Sequence, residues 1–144
     1  HPAHYEVLTG TNVEELVQAA GGLKDNVKKV ISGGPMMGFA MFDLHVPCTK
    51  TSSALLCMAE DPASESEATA CINCGRCVKV CPGHVMPSRL ATLAEHGDLE
   101  GFQKMDGMEC CECGCCSYIC PAKRPLTQSI KSMRKIVLAN RRKK

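Results

Sequence analysis

Aromatic side chains are scarce in this sequence, which has no tryptophan, two tyrosines and three phenylalanines among 144 residues. An apolar core of the ordinary kind would therefore be thin, and bound metal clusters commonly stabilise small folds of this sort. The sequence also lacks an apolar run long enough to cross a bilayer, so any membrane association is expected to be peripheral or to pass through partners. The chain begins at His1 rather than at a methionine, and we expect further sequence to precede it.

Cysteine, in contrast, is abundant, and the order of the twelve cysteines is more informative than their number. Eight of them repeat one spacing, in which gaps of two, two and three residues separate four cysteines and a proline follows the fourth. The first run is Cys71, Cys74, Cys77 and Cys81-Pro82, and the second is Cys110, Cys113, Cys116 and Cys120-Pro121. This is the spacing of bacterial two-cluster ferredoxins, whose thiolates hold [4Fe–4S] clusters. The sequence therefore predicts an electron-transfer protein.

In this pattern the fourth cysteine of each run binds the cluster of the other run. The predicted ligands of the first cluster are Cys71, Cys74, Cys77 and Cys120. The predicted ligands of the second cluster are Cys110, Cys113, Cys116 and Cys81. Because each cluster then ties distant parts of the chain together, we expect cluster assembly and folding to be coupled.

Four cysteines are predicted not to be ligands, and these are Cys48, Cys57, Cys111 and Cys115. A frame that starts at Cys111 or Cys115 fails, because Gly114 or Tyr118 then stands where its second cysteine should be. The other two lie outside both runs, and free cysteine usually packs as a small apolar residue. Surface or packing roles are also expected for the histidines outside the frame, since eight thiolates fill every ligand position. These are His45, His84 and His96.

Three other interpretations of the cysteines are open. A zinc site usually combines two C-x2-C pairs around one metal, but it would leave the third cysteine of each run and both Cys-Pro pairs unexplained. A disulfide framework is typical of small secreted chains, and the adjacent cysteines and duplicated ferredoxin spacing argue against it. A single remaining cluster is disfavoured because all eight ligand positions are filled.

The charge of the chain does not indicate a nucleic-acid-binding protein. Its formal charge is +2, but eight ionised thiols and two oxidised cubane cores would bring the loaded protein to about −2. Reduced thiolates and clusters favour the cytoplasm or the cytoplasmic face of a membrane. A basic cluster near the C-terminus suits a solvated helix end, with contact to anionic lipid or an acidic partner as the alternative. It consists of Arg134, Lys135, Arg141, Arg142, Lys143 and Lys144.

Residues 1–58 are predicted to form a small α/β unit. The strand candidates are the apolar or extended stretches 5–8, 27–31, 44–46 and 53–58. Between the first two, Asn12 is suited to cap a helix that ends at Gly21-Gly22. The glycine-rich segment 32–38 matches neither G-x-G-x-x-G nor the P-loop pattern, so we interpret it as a turn, with a ligand loop as the alternative.

The polar and acidic segment 59–69 is predicted to be a linker, and residues 70–144 to be the two-cluster domain. Three helices are predicted in that domain, at 88–96 with Ser88 as the cap, at 99–105 and at 127–139. We therefore expect a mainly helical domain rather than the compact, hairpin-rich ferredoxin fold.

Beyond the cysteine spacing itself, the sequence resembles the C subunits of Rnf-type electron transport complexes. The resemblance includes Gly10-Thr11, Glu15-Leu16, the glycines at 21–22 and ISGGPMMG at 31–38. It is especially close in CINCGRC at 71–77 and CGCCSYICPAKRPL at 113–126. It extends over nearly the whole chain.

This resemblance implies an α+β architecture. Residues 1–58 would be an SLBB-like β-grasp unit without its first strand, 59–69 a linker, and 70–144 a mainly helical ferredoxin-like domain with two [4Fe–4S] clusters. The implied function is an electron relay in a membrane-associated ferredoxin:NAD oxidoreductase that is coupled to ion transport. FMN and NAD sites are expected only in the part of the protein upstream, so this chain alone should not oxidise or reduce NAD.

The implied partners are the other members of such a complex, with ferredoxin as a further partner and no nucleic acid. The implied location is the cytoplasmic face of a bacterial cell membrane, reached through partners or the basic C-terminal cluster. Two other functions stay open. One is a cobalamin reductase-like flavo-iron–sulfur protein of a metabolosome, and the other is a zinc-binding interaction module.

Overall fold

The computed structural model describes residues 2–142. The chain forms two compact units, of which the first ends at Glu65 and the second begins at Ser66. The first combines a helix with a three-stranded sheet, and the regular structure described in the second is helical. The predicted α+β class is confirmed.

Helix α1 (Val13–Ala19) lies where the sequence predicts it. The Asn12 side chain accepts a hydrogen bond from the Glu14 N–H at 2.9 Å, which satisfies one of the N–H groups that a first turn leaves without a partner. After the helix, Gly21 has a φ of 98°, in the left-handed region that glycine adopts at the lowest cost. The predicted cap and the predicted stop are both confirmed.

Three short antiparallel strands form the sheet, in the order β2–β1–β3. They are β1 (Lys29–Ser32), β2 (Phe39–Met41) and β3 (Leu55–Met58). In the central strand, Ile31 lies opposite Ala40 on one side and Leu56 on the other. The strand predicted at 27–31 is therefore confirmed with a later start, and the strand predicted at 53–58 is confirmed over its last four residues.

The prediction of a strand at 44–46 is wrong. The carbonyl groups of this segment serve helix α1 instead, since Leu44 O accepts from the Glu14 N–H at 3.2 Å and Val46 O from the Val13 N–H at 3.0 Å. First-turn N–H groups need partners outside their helix, and this segment supplies them. Directly after this stretch, Pro47 forms an isolated antiparallel bridge with Asn12.

The prediction of a strand at 5–8 is also wrong. The segment is exposed along its length, and Leu8 is 84% exposed. Backbone groups of an extended segment need a neighbouring strand or water, and in the described structure no strand pairs with this segment.

Strand β2 was not predicted because two of its three residues are exposed, which leaves no alternation to detect. The glycine-rich segment 32–38 connects it to β1. Gly33 has a φ of 99°, and a Cβ at Gly38 would lie 2.5 Å from the Gly34 carbonyl oxygen. The segment is therefore a tight connection between two strands, in agreement with its interpretation as a turn.

A small apolar core joins the elements of the first unit. Val13 and Val17 of α1 are buried with Cys48, and Met41 and Leu55 pack against them. This core contains no aromatic residue, as the composition leads one to expect.

Residues at the end of the first unit form ion pairs with the first residue of β1 and with the residue before it. Lys29 Nζ lies 2.5 Å from Asp61 Oδ2, and Lys28 Nζ lies 2.7 Å from Glu65 Oε1. The hydrogen bond from Lys29 holds the pKa of Asp61 below its ordinary value. The first half of the segment predicted as a linker thus carries contacts to the sheet.

The second unit contains five helices within the described residues, and no strand is found there. They are α2 (Arg76–Lys79), α3 (Pro87–Glu95), α4 (Leu99–Lys104), α5 (Cys115–Ile119) and α6 (Leu126–Arg142). A single 3-10 turn, Gly107–Glu109, follows α4. The mainly helical character predicted for this part is confirmed.

One predicted helix cap in this unit is wrong. Ser88 does not cap α3, because the helix already begins at Pro87, whose fixed φ and missing N–H suit the first helical position. The next helix, α4, is capped by Asp98, whose Oδ1 accepts from the Gly101 N–H at 2.8 Å. Helix α6 is longer than the predicted 127–139, and Lys143 and Lys144 of the basic cluster lie outside the described residues.

The core of the second unit gathers residues from α3, α4 and α6. Its buried members are Val85, Leu90, Phe102, Ile130, Met133 and Val137. Phe102 is its one aromatic residue and is fully buried. Cys81 and Cys110 pack against this core, so its apolar side chains support two of the predicted ligands.

Candidate iron–sulfur sites

The two cysteine runs fold in the same way, 39 residues apart in the sequence. Residues with positive φ recur at matching positions, as Asn73 and Glu112, as Gly75 and Gly114, and as His84 and Lys123. A positive φ is uncommon outside glycine, and two of the three matched pairs contain no glycine. The repeat of ligand spacing is also a repeat of backbone conformation.

In each run the third cysteine lies on a short helix. Gly75 precedes α2 and Gly114 precedes α5, both in the left-handed conformation. Cys77 is the buried residue of α2, and Cys116 is the buried residue of α5. The third cysteine is therefore the inner ligand candidate of each run, and the first two stand on the loop before it.

The four cysteines predicted for the first cluster line one cavity, which we call site 1. They are Cys71, Cys74, Cys77 and Cys120. Ser88 of α3, Arg124 and Leu126 complete much of its wall. Cys77 is buried, whereas Cys71 and Cys74 are exposed, so site 1 faces solvent on the side of its first two cysteines.

The four cysteines predicted for the second cluster line another cavity, which we call site 2. They are Cys81, Cys110, Cys113 and Cys116. Pro87 of α3, Glu112 and Thr127 of α6 belong to its wall. Cys116 is buried and the other three are partly buried, so site 2 is the more enclosed of the two.

The predicted exchange of fourth cysteines agrees with these linings, because Cys120 reaches site 1 and Cys81 reaches site 2. The first residues of α3 and of α6 lie between the two sites. Neighbouring residues at the start of α3 face different sites, and the same is true at the start of α6. Cys77, Cys116 and Leu126 also belong to one buried cluster. The two sites are therefore adjacent.

The donor set of each site fits a [4Fe–4S] cluster. All twelve cysteines are free thiols, and within residues 2–142 no three His, Cys, Asp or Glu side chains converge as they would around a single ion. In a cubane, each thiolate binds a different iron, so the ligand sulfurs surround a cluster rather than a point. A cavity lined by four thiols provides that arrangement.

Burial raises the pKa of the Cys110 and Cys116 thiols at site 2. A hydrogen bond from the Glu112 N–H, whose nitrogen is 3.4 Å from Cys110 Sγ, and a contact of Cys116 with the Thr127 hydroxyl act in the opposite direction. Iron binds the thiolate, so loading this site must release protons.

An arginine stands beside the first cysteine of site 1. Arg124 lines the site and interacts with Cys71. Its Nη2 donates to both carboxylate oxygens of Glu95, at 2.6 and 2.7 Å. Burial lowers the pKa of Arg124, but Glu95 and Cys71 more than offset this and hold it above its ordinary value. The guanidinium is thus a fixed positive charge at site 1.

A second arginine stands near the first cysteine of site 2. Arg134 of α6 pairs with the Glu112 carboxylate and donates from Nη2 to the Met108 carbonyl oxygen at 3.1 Å. Lys131 Nζ lies 3.7 Å from the same carboxylate. The positive charge of Arg134 favours the thiolate of Cys110. The sequence interpretation of Arg134 as part of a solvated helix end is therefore wrong, since its side chain is only 21% exposed.

Two hydroxyl groups accompany the buried cysteine of site 2. Thr127 Oγ1 lies 3.3 Å from Cys116 Sγ. Ser117 Oγ donates to Thr127 Oγ1 and accepts from the Thr127 N–H, both at 2.9 Å. Sequence reasoning missed these residues, although Thr127 follows Ser88 by the repeat distance and both carry a hydroxyl. No sequence pattern indicates that Arg134 lies near site 2, because its contacts depend on how α6 packs.

The four cysteines predicted not to be ligands have varied surroundings. Cys111 is exposed and lines site 2 beside the predicted ligands, whereas Cys115 lines neither cavity. Cys48 is buried in the first unit and Cys57 is exposed on β3. His45, His84 and His96 line neither cavity and are exposed.

Two segments of the chain match models of known protein families. Residues 1–40 match the SLBB domain and residues 70–123 match the 4Fe-4S dicluster domain. The C subunit of the Na(+)-translocating ferredoxin:NAD(+) oxidoreductase complex of Acetobacterium woodii is 38% identical over 143 residues, which are 99% of this chain and 32% of that protein.

Two other relatives are named as the C subunit of an ion-translocating oxidoreductase complex. The protein of Rhodobacter capsulatus is 41% identical over 128 residues, 89% of this chain and 25% of its own length. The protein of Methanosarcina acetivorans is 35% identical over 131 residues, 91% of this chain and 29% of its own length.

The fold and the paired sites define a class, that of dicluster iron–sulfur proteins with an SLBB domain. Within this class, the chain is a homologue of the C subunits of ion-translocating oxidoreductase complexes, the Rnf-type proteins that its sequence resembles. The chain spans about a third or less of the length of these relatives. None of its helices in residues 2–142 is long and apolar enough to cross a membrane.

Proposed function

We propose that the second unit binds two [4Fe–4S] clusters, one at each site, and relays electrons between partners at its surface. When bound, such clusters supply one-electron carriers whose potentials depend on charge, hydrogen bonds and exposure. The observation that carries the proposal is the lining of the two cavities, because each contains three thiols of one run and the fourth thiol of the other. Thiolates arranged in this way match the two-cluster ferredoxin rule.

The residues around the sites perform distinct tasks in this proposal. The buried Cys77 and Cys116 hold the inner sides of the two sites close together, since both belong to one buried cluster. The exposed Cys71 and Cys74 place site 1 at the surface, where a redox partner can approach. Arg124 and Arg134 add positive charge beside thiolates, which stabilises ligand sets that carry much negative charge.

In the complete protein, we propose that this relay serves an Rnf-type complex that exchanges electrons between ferredoxin and NAD and couples the exchange to ion movement. The names of the relatives support this assignment. FMN and NAD would bind to the part of the protein upstream of this chain. The other members of the complex would be its partners, and its location would be the cytoplasmic face of the membrane, held there peripherally.

The first test is anaerobic reconstitution followed by metal and sulfide analysis and EPR spectroscopy. We expect about eight irons per chain and the signals of two interacting cubanes on reduction. A colourless protein that takes up zinc in place of iron would contradict the proposal and support a zinc-binding interaction module.

The exchange of fourth ligands has its own test, in Cys120→Ser and Cys81→Ser. Each variant should keep about four irons, and the remaining cluster should be that of site 2 in the first and of site 1 in the second. Cys115→Ser is the matched control and should keep about eight, because Cys115 lines neither cavity. Loss of the cluster from the same run as the mutated cysteine would show that the ligands do not cross.

Membership of a membrane complex is tested separately, by affinity purification of the full protein from its own cells. Co-purification with membrane-embedded proteins of the complex and ferredoxin-dependent NAD reduction are expected. Recovery in a protein microcompartment, with cobalamin reductase activity, would instead support the metabolosome alternative.

A further inference from the structure

Hydroxyl groups distinguish the two sites, although their ligand spacing is the same. At site 2, Thr127 lies against Cys116, and Ser117 bonds to Thr127. The matching positions at site 1 are Ser88, Cys77 and Val78, each 39 residues earlier. Val78 has no hydroxyl, and in the described part of the chain no hydrogen bond joins Ser88 to Cys77.

The direction of the hydrogen bonds at site 2 follows from the chemistry of the sulfur. A cysteine that binds iron has lost its proton and can only accept, so the Thr127 hydroxyl must donate to Cys116 Sγ. The Thr127 oxygen then accepts from the Ser117 hydroxyl, and the Ser117 oxygen accepts from the Thr127 N–H. Each proton in this series of three hydrogen bonds has one acceptor, and the Thr127 hydroxyl group is therefore oriented toward the sulfur.

We propose that Ser117 and Thr127 form a hydroxyl relay that donates to Cys116 and raises the reduction potential of the cluster at site 2. This inference rests on the proposed function, because it requires a cluster bound through Cys116. Reduction adds negative charge to a cluster and its sulfurs, and a hydrogen bond to charged sulfur is stronger than one to a less charged sulfur. Hydrogen bonds to the sulfurs are among the factors that set cluster potentials. Thr127 thus acts on the potential of the cluster indirectly, through its hydrogen bond to Cys116.

The test is a redox titration of the reconstituted Thr127→Val variant, followed by EPR. Valine keeps the shape of threonine and removes the donor. At a fixed potential, we expect the ratio of reduced to oxidised cluster at site 2 to fall roughly threefold to tenfold, which corresponds to roughly 30 to 60 mV for one electron. Thr127→Ser should restore most of the ratio, and Ser117→Ala should lower it less than Thr127→Val, because it leaves the donor but releases its orientation.

Ser88→Ala is the matched control, since it removes the equivalent hydroxyl at site 1. It should shift the potential of the site 1 cluster less than Thr127→Val shifts that of the site 2 cluster, because no hydrogen bond joins Ser88 to Cys77 in the described residues. A Thr127→Val protein with about eight irons and an unchanged site 2 potential would overturn the relay but leave the proposed function intact. An equal shift in Ser88→Ala would overturn the claim that the relay distinguishes the sites. Failure of the unmodified chain to bind a second cluster would instead refute the proposed function.

Discussion

Site 1 and site 2 share a ligand frame but differ in their surroundings. Two of the four cysteines at site 1 are exposed, whereas at site 2 one is buried and three are partly buried. The apolar core that contains Phe102 packs against Cys81 and Cys110, both of which line site 2. Spacing alone would make the two sites equivalent. The two sites therefore share predicted ligands, and they differ in burial, in nearby charge and in nearby hydroxyl groups.

The largest effect that would test this comparison is the loss of one site through its first cysteine. Cys110→Ser removes a predicted ligand, so about four irons and the site 2 signal should be lost. Cys111→Ser is the control from the same wall of the cavity and should keep about eight irons. Iron analysis with EPR distinguishes the two, and the reverse result would mean that Cys111 replaces Cys110 as a ligand of site 2.

The second effect is the rate at which each cluster is lost to a chelator. The two variants that should keep one cluster each make the comparison direct, since we expect Cys81→Ser to keep the cluster of site 1 and Cys120→Ser to keep that of site 2. The visible absorption of the first should decay severalfold faster, because Cys71 and Cys74 are exposed to solvent. Equal rates, or a faster loss from site 2, would remove exposure as the difference between the sites.

The third effect concerns the core that supports site 2. Phe102→Ala should lower the free energy of unfolding by about 3 to 5 kcal/mol, since the ring is fully buried. Because Cys81 and Cys110 pack against this core, the site 2 cluster should be lost at a lower denaturant concentration than the site 1 cluster. Phe42→Ala is the control, as that side chain is fully exposed and its removal should leave the denaturation midpoint unchanged.

The smallest effect tests what the sites have in common. Gly75 and Gly114 have φ values of 73° and 84°, so alanine at either position should cost about 1 to 2 kcal/mol. Asparagine at Gly75 should cost less, since it tolerates the left-handed region better. Chemical denaturation of the loaded variants measures both costs. A large cost at one glycine only would mean that the loops are not conformational repeats.

The gathering of the eight cysteines at two cavities was predictable from the sequence because cysteine spacing is strict and each failed frame has an identifiable gap. The helix α1 was predictable for a similar reason, since Asn12 and Gly21 define its ends by local chemistry. The segment 44–46 was not, because its apolar residues fit a strand while its carbonyl groups bond to a distant helix turn. Local pattern cannot reveal a partner of that kind.

The surroundings of the sites were the least predictable part. Arg134 belongs to a run of basic residues, and only the packing of α6 brings it to Glu112. Thr127 and Ser117 are ordinary residues in sequence, and their hydrogen bonds form because the start of α6 lies beside α5. Such contacts depend on tertiary geometry, which periodicity and spacing do not encode.

The crossed linings of the two cavities have a consequence for the origin and use of this unit. A single 39-residue half carries three cysteines for one cavity and one for the other, so it cannot complete either cavity alone. Two copies of the same half, arranged about a twofold axis, would complete both. The unit therefore resembles a dimer of two halves joined in one chain. An excised half would need a second copy of itself to complete either cavity.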